Sequence, residues 1–408
     1  MSVVALGTWG TWAVVVVSAA LLRSRAYAIF RGITLGVHSL VFLALWPTFQ
    51  ALGVLPIALY LHAIVFLQSL VLVKPRMRSF AYRALVSIPA SYFAAGTLLA
   101  FPWAIAAAFG FSPHGFWLPY LVALVGIVQS LTGKEEEVDV VVADGHVVDG
   151  VQRHRPTTAP VGRPLRIVQI TDPHLGPFMS VARLRRIVER AVAKNPDLVV
   201  LTGDFLTMES QKDPKLLATA LEPLQALPGR AFACMGNHDH EAPDTVRSAL
   251  AHAGVTLLVD DATEVETAVG RVQILGMDFH WGGRKERMAA VCERYPRVAG
   301  ALRIVLLHDP GAFKHLSSGQ ADLVLSGHTH GGQVGLLSLG LHWTMLRLLM
   351  NAPDHGLWAN GTNRLYVHRG TGHYGFPLRL GVPAEQSVLR VHAPDRDGES
   401  YLQQYATS

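Results

Sequence analysis

The chain has 408 residues, half of them hydrophobic, with a formal net charge of +5 and two cysteines. That length suits two domains. Two cysteines exclude a disulfide framework, and a modest positive charge without a dense Lys/Arg stripe excludes dedicated nucleic-acid binding.

Every acidic residue lies after Lys134, which divides the chain into a membrane half and a soluble half. Apolar stretches at 3–22, 33–51, 53–73, 84–109 and 115–132 approach the ~20 residues that cross a bilayer core as a helix. They predict a transmembrane helical domain over 1–133 with about five spans. The first stretch lacks a basic leader, so it is not read as a cleaved signal peptide. The second and third are separated only by a proline-containing turn between Pro47 and Pro56. Arg23, Arg25 and Arg31 fall between spans one and two, and Lys74, Arg76, Arg78 and Arg83 between three and four. Basic short loops stay on the cytoplasmic side. The prediction is a multi-pass protein of the cell (inner) membrane, amino terminus outside, with everything after Lys134 cytoplasmic. His38 and His62 lie inside spans without any Asp, Glu, Lys or Arg to form a proton path. They read as neutral rings hydrogen-bonded to neighbouring helices.

Residues 134–164 contain EEEVDVVVADGHVVDG, which alternates like a hairpin turning near Asp144-Gly145, then the polar link RHRPTTAPVGRP. From 165 to 395 strands and helices alternate. LRIVQI, DLVVLT and AFACM read as strands. SVARLRRIVERAVAKN, DPKLLATALEPLQAL (capped by Asp213, with Pro214 first) and Pro243 to Ala253 read as helices. VTLLVD, ATEVETA, RVQILGM, RIVLLH, DLVLSG, RLYVHRG and SVLRV then read as clustered strands. The pattern implies a mixed α/β core, two packed sheets flanked by helices, with a polar tail over 396–408. Cys234 and Cys292 read as buried thiols. The apolar run from Leu336 to Met350 has two readings, a core helix or a lip dipping toward the bilayer to admit a lipid substrate.

Five apolar runs end in polar motifs: Asp172-x-His174, Gly203-Asp204, Gly236-Asn237-His238-Asp239, His308 and Gly327-His328-Thr329-His330. Ligands collect beyond the carboxyl ends of strands in open α/β sheets, so the fold can bring these motifs together. One ion needs three or four ligands. Seven candidates, Asp172, His174, Asp204, Asn237, His308, His328 and His330, suit two ions sharing a bridging carboxylate. Glycines beside them permit sharp turns and close backbone approach. Metal-assisted hydrolysis is the chemistry expected.

These blocks, in this order, resemble the calcineurin-like metallophosphoesterase superfamily. The strings ITDPHLG, NPDLVVLTGDF, SGHTHGGQV and LYVHRGTG are most similar to its YkuE/YaeI-type phosphodiesterase branch with an N-terminal membrane domain. The resemblance spans about 165–392 and implies a transmembrane helix bundle followed by a four-layer α/β/β/α sandwich with two mixed sheets. It implies Asp172, His174 and His330 on one ion, Asn237, His308 and His328 on the other, and Asp204 bridging. The ions would be divalent or trivalent manganese, iron or zinc. It implies a metal-activated hydroxide as nucleophile and His238 as leaving-group acid, with Asp239 either orienting the His238 ring or capping a turn. Two positions depart from the pattern: Pro173 replaces the usual leucine, and Ala384-Glu385 replaces Pro-Glu. His240 and Glu241 read as a solvated loop. His280, His373 and Arg369 are candidates for phosphate contact, Arg369 equally for an ion pair.

The expected substrate is a phosphoester, with a phospholipid or glycolipid precursor favoured and membrane lipids as surroundings. The alternatives are a non-enzymatic metal-bound sensor or scaffold for a phosphorylated ligand, and a tethered nucleotide phosphohydrolase.

Overall fold

The computed structural model describes residues 2–111, 114–142, 146–156, 162–350, 352–373, 375 and 378–393. Its first part is helical: α1 (Ser2–Leu22), α2 (Arg25–Ala51), α3 (Leu55–Val71), the single turn α4 (Phe80–Tyr82), α5 (Ile88–Leu99), α6 (Phe101–Ala108) and α7 (Leu118–Leu131). α1 and α2 are long and apolar enough to cross a membrane, and Phe80–Leu99 with Phe101–Ala108, bent by 56°, adds a third if counted as one span. α3 has 17 residues and α7 has 14. At about 1.5 Å rise per residue they fall short of a core roughly 30 Å thick. Each predicted stretch is helical, but length alone supports two or three crossings. Pro47 does not end α2, which runs on to Ala51. Its neighbours Leu45, Trp46 and Phe49 are buried among helices, and packing carries the helix past the missing N–H. The two histidines of the helical part are hydrogen-bonded to neighbouring helices, as expected. Thr8 Oγ1 meets His62 Nε2 at 3.1 Å, and His62 Nδ1 meets His38 Nε2 at 3.1 Å, joining α1, α3 and α2.

Two mixed sheets follow. The first runs β1 (Gly133–Val141), β13 (Ala384–His392), β3 (Leu165–Ile170), β4 (Leu198–Leu201), β5 (Ala231–Ala233), β6 (Thr256–Leu257). The second runs β2 (Val148–Arg153), β11 (Gly356–Gly361), β12 (Asn363–Val367), β10 (Leu323–Ser326), β9 (Leu302–Leu307), β8 (Gly270–Met277), β7 (Asp261–Thr267). Alternation decides which side each residue serves. Ile167, Leu198 and Val200 meet Ile274, Ile304 and Leu325 in the core between the sheets. Val168, Val199 and Leu201 face outward, under α8 (Val181–Ala193), α9 (Pro214–Leu221) and α10 (Pro243–His252). Leu275, Val305 and Val324 pack outward against α11 (Arg284–Arg294). The layers are α/β/β/α. The expected cap forms, Asp213 accepting from the Lys215 N–H with Pro214 at the first position, and α8 gains a further one, Ser180 accepting from the Arg183 N–H. Cys234 and Cys292 are both buried.

The hairpin expected over 134–164 does not form. β1 pairs parallel with β13, whereas β2 pairs antiparallel with β11 in the other sheet. The alternation is real, but each strand's apolar face is satisfied by a different sheet. These residues extend the sheets instead of linking to them. The proposed turn at Asp144-Gly145, residues 157–161 of the link, and the 396–408 tail lie outside the described residues.

The two halves interlock at the last turns of α7. Gly381 N–H donates to Gln129 Oε1 at 2.7 Å, and Arg379 N–H donates to Ser130 Oγ at 2.9 Å. One turn earlier, a Cβ on Gly126 would lie 2.8 Å from Leu378 Cδ1 and 3.0 Å from the Arg379 carbonyl oxygen. Overpacking costs about 1–3 kcal/mol, so Gly126→Val is expected to lower the melting temperature of the detergent-solubilised chain. Gly10→Val, where nothing lies within 4 Å of the new Cβ, serves as control. Equal melting temperatures for the two variants would contradict this packing.

Candidate metal centre

The polar motifs leave the carboxyl ends of β3, β4, β5, β9 and β10. Several ligands sit in backbone that L-residues rarely adopt. Asp172, His174, Asp204, His328 and His330 have φ of 50°, 45°, 55°, 67° and 51°, five of the eight non-glycine residues with positive φ among the described residues. Asp and His tolerate this region better than branched residues do. Such strain, on the order of 1–3 kcal/mol each, concentrates where function requires a fixed geometry. Two glycines make the close approach possible. A Cβ on Gly236 would lie 2.2 Å from Asp204 Oδ1, and one on Gly327 would lie 2.2 Å from Asp172 Oδ2.

Six side chains converge in two groups: Asp172, His174 and His330, and Asp204, His308 and His328, with ligand atoms in each group all within 4.8 Å of one another. In the first, His174 Nε2 lies 3.2 Å from His330 Nε2, and His330 Nε2 lies 3.5 Å from Asp172 Oδ1. In the second, His308 Nε2 lies 3.2 Å from His328 Nδ1. Asp204 Oδ2 stands between them, 3.2 Å from His308 Nε2 and 3.7 Å from His174 Nε2. Asn237, the seventh candidate, presents a buried Oδ1 without a hydrogen-bond partner. A buried acceptor left in that state costs free energy, so a cation is a fitting complement. Neutral imidazole nitrogens, carboxylate oxygens and one amide oxygen together fit a manganese, iron or zinc pair.

The surroundings fix how the ligands point. His308 Nδ1 lies 2.7 Å from the Thr202 carbonyl; the Nδ1–H donates there and leaves the Nε2 lone pair for a cation. Asp172 accepts from the His328 N–H and from Thr171 Oγ1. Burial lowers His174 to about 3 and His328 to about 4, so both rings are neutral donors near pH 7. Burial would also lower His308, but the Asp204 and Asp172 carboxylates outweigh it and raise the ring to about 10. Against its own burial, Asp204 is held well below the usual carboxylate range by His308 and His174. His308 would give up that proton on holding a cation through Nε2.

His238 has a different setting. Its ring does not meet Asp239; Nδ1 pairs with Glu241 Oε1 at 2.8 Å. Asp239 instead accepts from three backbone N–H groups, those of Asp204 (2.7 Å), Phe205 (2.9 Å) and Gly236 (2.8 Å). That corrects the ring-orienting role: a fully buried carboxylate beside a turn is satisfied by the nearest main-chain donors, and it ties the Asp204 loop to the Gly236 loop. Burial would lower His238, but the hydrogen bond to Glu241 and the Asp204 carboxylate keep it raised. Glu241 lay in a stretch expected to be a solvated loop; its spacing three residues after His238 was the available signal.

The other candidates are occupied elsewhere. Arg369 commits its fork to Glu385 (3.0 Å) and Glu136 (2.8 Å) and is buried, so it is an interior ion pair. Glu385 also accepts from Tyr366 Oη. His240 pairs with Asp278 at 2.9 Å, and His280 lies 3.6 Å from Asp260. The His373 ring packs on Phe178. Pro173 leaves Asp172 and His174 in place on either side. Arg379 had no sequence signal. Fully buried, its guanidinium donates to the carbonyls of Arg369 (2.7 Å), His330 (3.1 Å) and Gly372.

Residues 165–332 match the family model for calcineurin-like phosphoesterase. The chain is 29% identical over 234 residues to "Phosphodiesterase YaeI" of Escherichia coli (strain K12), covering 56% of this chain and 82% of that protein. It is 27% identical over 235 residues to the metallophosphoesterase YkuE of Bacillus subtilis (strain 168), covering 55% and 78%. It is 32% identical over 243 residues to "Transmembrane protein with metallophosphoesterase domain" of Danio rerio. There the match covers 54% of this chain and 52% of that protein, about half its length.

Proposed function

We propose that this chain, whose residues 165–332 form a calcineurin-like phosphoesterase domain, is a membrane-anchored phosphodiesterase with a dinuclear metal centre. The observation that carries it is the single oxygen Asp204 Oδ2, within 3.7 Å of His174 Nε2 and 3.2 Å of His308 Nε2, between the two groups. Asp172, His174 and His330 would hold one ion, Asn237, His308 and His328 the other, and Asp204 both. Bound ions supply Lewis acidity and a nucleophile at neutral pH. The protein's own groups do the remaining work. Asp239 holds the Asp204 and Gly236 turns in register through three main-chain bonds. His238 donates a proton to the leaving oxygen, and Glu241 orients its ring and favours its protonated form. An imidazole paired with a carboxylate at 2.8 Å supports turnover over the sensor reading, because a pure binder has no use for a leaving-group acid.

The apolar helices support anchoring at the cell membrane, and with it a phospholipid or glycolipid precursor as substrate; a cytoplasmic catalytic half requires that all five apolar stretches cross. Full-length protein with manganese is expected to hydrolyse bis-p-nitrophenyl phosphate. The full chain is the proper material, since β1 belongs to the first sheet. His238→Ala is expected to lose about 10²–10⁴-fold in kcat. Glu241→Gln removes one charge-assisted bond at a partly exposed site and is expected to lose at most about tenfold. An unaltered kcat in His238→Ala would remove the acid role, and binding without turnover by the wild type would favour the sensor.

A further inference from the structure

The segment that follows the metal centre is neither core nor ordinary loop. Within 336–350 only a single 3-10 turn (Leu337–Leu339) and the short helix α12 (Met345–Leu349) are helical, and Leu336, Leu341, Trp343, Leu348 and Met350 are all exposed, with Leu339 and Leu349 each 73% accessible. A core helix is thereby excluded. A contiguous apolar patch of this kind marks an interaction surface. Arg347, its one formally charged residue, turns back over the Trp358 ring at 5.0 Å. The base is fastened: Thr344 Oγ1 donates to Asp354 Oδ2 at 2.6 Å, and Leu336 N–H donates to the Trp343 carbonyl at 2.9 Å. The patch is therefore presented by a held lip. It adjoins the turn that carries His330, since Gly332, two residues on, lies against Leu346.

What covers the lip follows from its continuity with the membrane helices. Ser338 N–H donates to the Gly381 carbonyl at 2.9 Å, and the N–H of the same Gly381 donates to Gln129 Oε1 on α7. Beneath it, Leu378 packs on Ala95 of α5 and Ala123 of α7. The lip thus starts where the last apolar helix leaves. The loops after the other ligands lean the same way. Met208, four residues beyond Asp204, packs with Tyr27 and Leu72, and Pro177, three beyond His174, shares a small cavity with Arg76, Arg78 and Arg83.

We infer that residues 336–350 insert into the lipid surface beside α7, so that the metal centre opens at the bilayer face and receives phosphoesters whose apolar part stays in the lipid. The substrate class rests on the phosphoesterase reading above; the insertion rests on the lip and the helices alone.

Because Cys234 and Cys292 are buried, a Leu348→Cys variant of the full chain can be labelled selectively with an environment-sensitive fluorophore. In phosphatidylcholine vesicles containing nitroxide lipid, this label is expected to be quenched at least about threefold more than one at Glu266→Cys on β7, as for groups seated in the headgroup–acyl boundary. Equal quenching at the two positions overturns the inference. In the second arm, a Leu348→Asp/Leu349→Asp variant is expected to lose at least about tenfold in hydrolysis of dioleoylglycerol p-nitrophenyl phosphate in those vesicles. Soluble bis-p-nitrophenyl phosphate should change less than about twofold, because only lipid capture depends on an interfacial element. Equal loss on both substrates, or a lip variant that changes only oligomeric state, overturns it too. Strong quenching of the labelled Leu348→Cys variant, together with a wild type that hydrolyses neither substrate, supports the lip and sinks the hydrolase reading instead.

Discussion

Asp204→Asn in the full-length chain is expected to lower turnover of bis-p-nitrophenyl phosphate by on the order of 10³-fold or more, with bound metal falling in parallel. The substitution is nearly isosteric but replaces a carboxylate by an amide with one acceptor oxygen and one donor nitrogen. Oδ2 is the atom that faces both His308 and His174, while Oδ1 already accepts from the His238 N–H at 2.8 Å. One oxygen of an amide cannot serve both duties. If it faces the ions, an NH₂ meets the His238 N–H; if it faces that N–H, an NH₂ meets the cations. Several kcal/mol of charge stabilisation are at stake, and each 1.36 kcal/mol is tenfold in rate. Metal analysis alongside kinetics decides the cause. Wild-type rates with two ions retained would show that Asp204 does not bridge.

The proximity of these ligands was legible because each one ends an apolar run, and a strand end is a position that sequence patterning reveals. What lay beyond it depended on contacts between distant residues. Asp239 adjoins His238 in sequence, which suggested a pair; in space the carboxylate is fully buried among main-chain donors, and Glu241, one helical turn on, reaches the ring. β1 and β2 alternate as a hairpin would, yet nothing local reports that their partners are β13 and β11, more than 200 residues away. β11 itself reads GLWANG, with glycine at both ends and no clean alternation, and it exists because β12 and β2 flank it. The apolar run at 336–350 left core and surface open, since composition does not say which side of a sheet's rim a segment occupies.

Arg379→Met is expected to weaken the metal centre without replacing a ligand. Arg379 is fully buried, and its charge is not compensated by a carboxylate within hydrogen-bonding reach; burial and the nearby Arg369 pull its pKa down to about 9, which still leaves it charged at neutral pH. Its partners are the main-chain carbonyls of His330, Arg369, Gly370, Gly372 and Val382, and Nδ1 of the His330 ring at 3.3 Å. Those residues come from three loops that close around the first metal group. Methionine matches the length and suits an apolar interior, so the burial cost of the charge disappears. The carbonyls of Arg369, Gly372 and Val382 then lose this donor, at about 1–3 kcal/mol for each that cannot find another, whereas those of His330 and Gly370 keep the Gln333 and Glu385 N–H groups. The His330 loop is the part free to relax, because its backbone is already strained at φ 51°. Metal affinity is expected to fall about 10–100-fold, the range seen when a partner of a ligating residue is lost. Arg379→Lys should recover little, since a point charge with three donors cannot span carbonyls that the planar fork reaches together. The readout is metal titration of the chelated and refilled full chain. Excess manganese should restore most of the rate in Arg379→Met, whereas Asp204→Asn should stay inactive at any metal concentration. Were Arg379→Met to bind metal as tightly as wild type, the carbonyl cage would have no part in setting His330, and the strain at that residue would need another source.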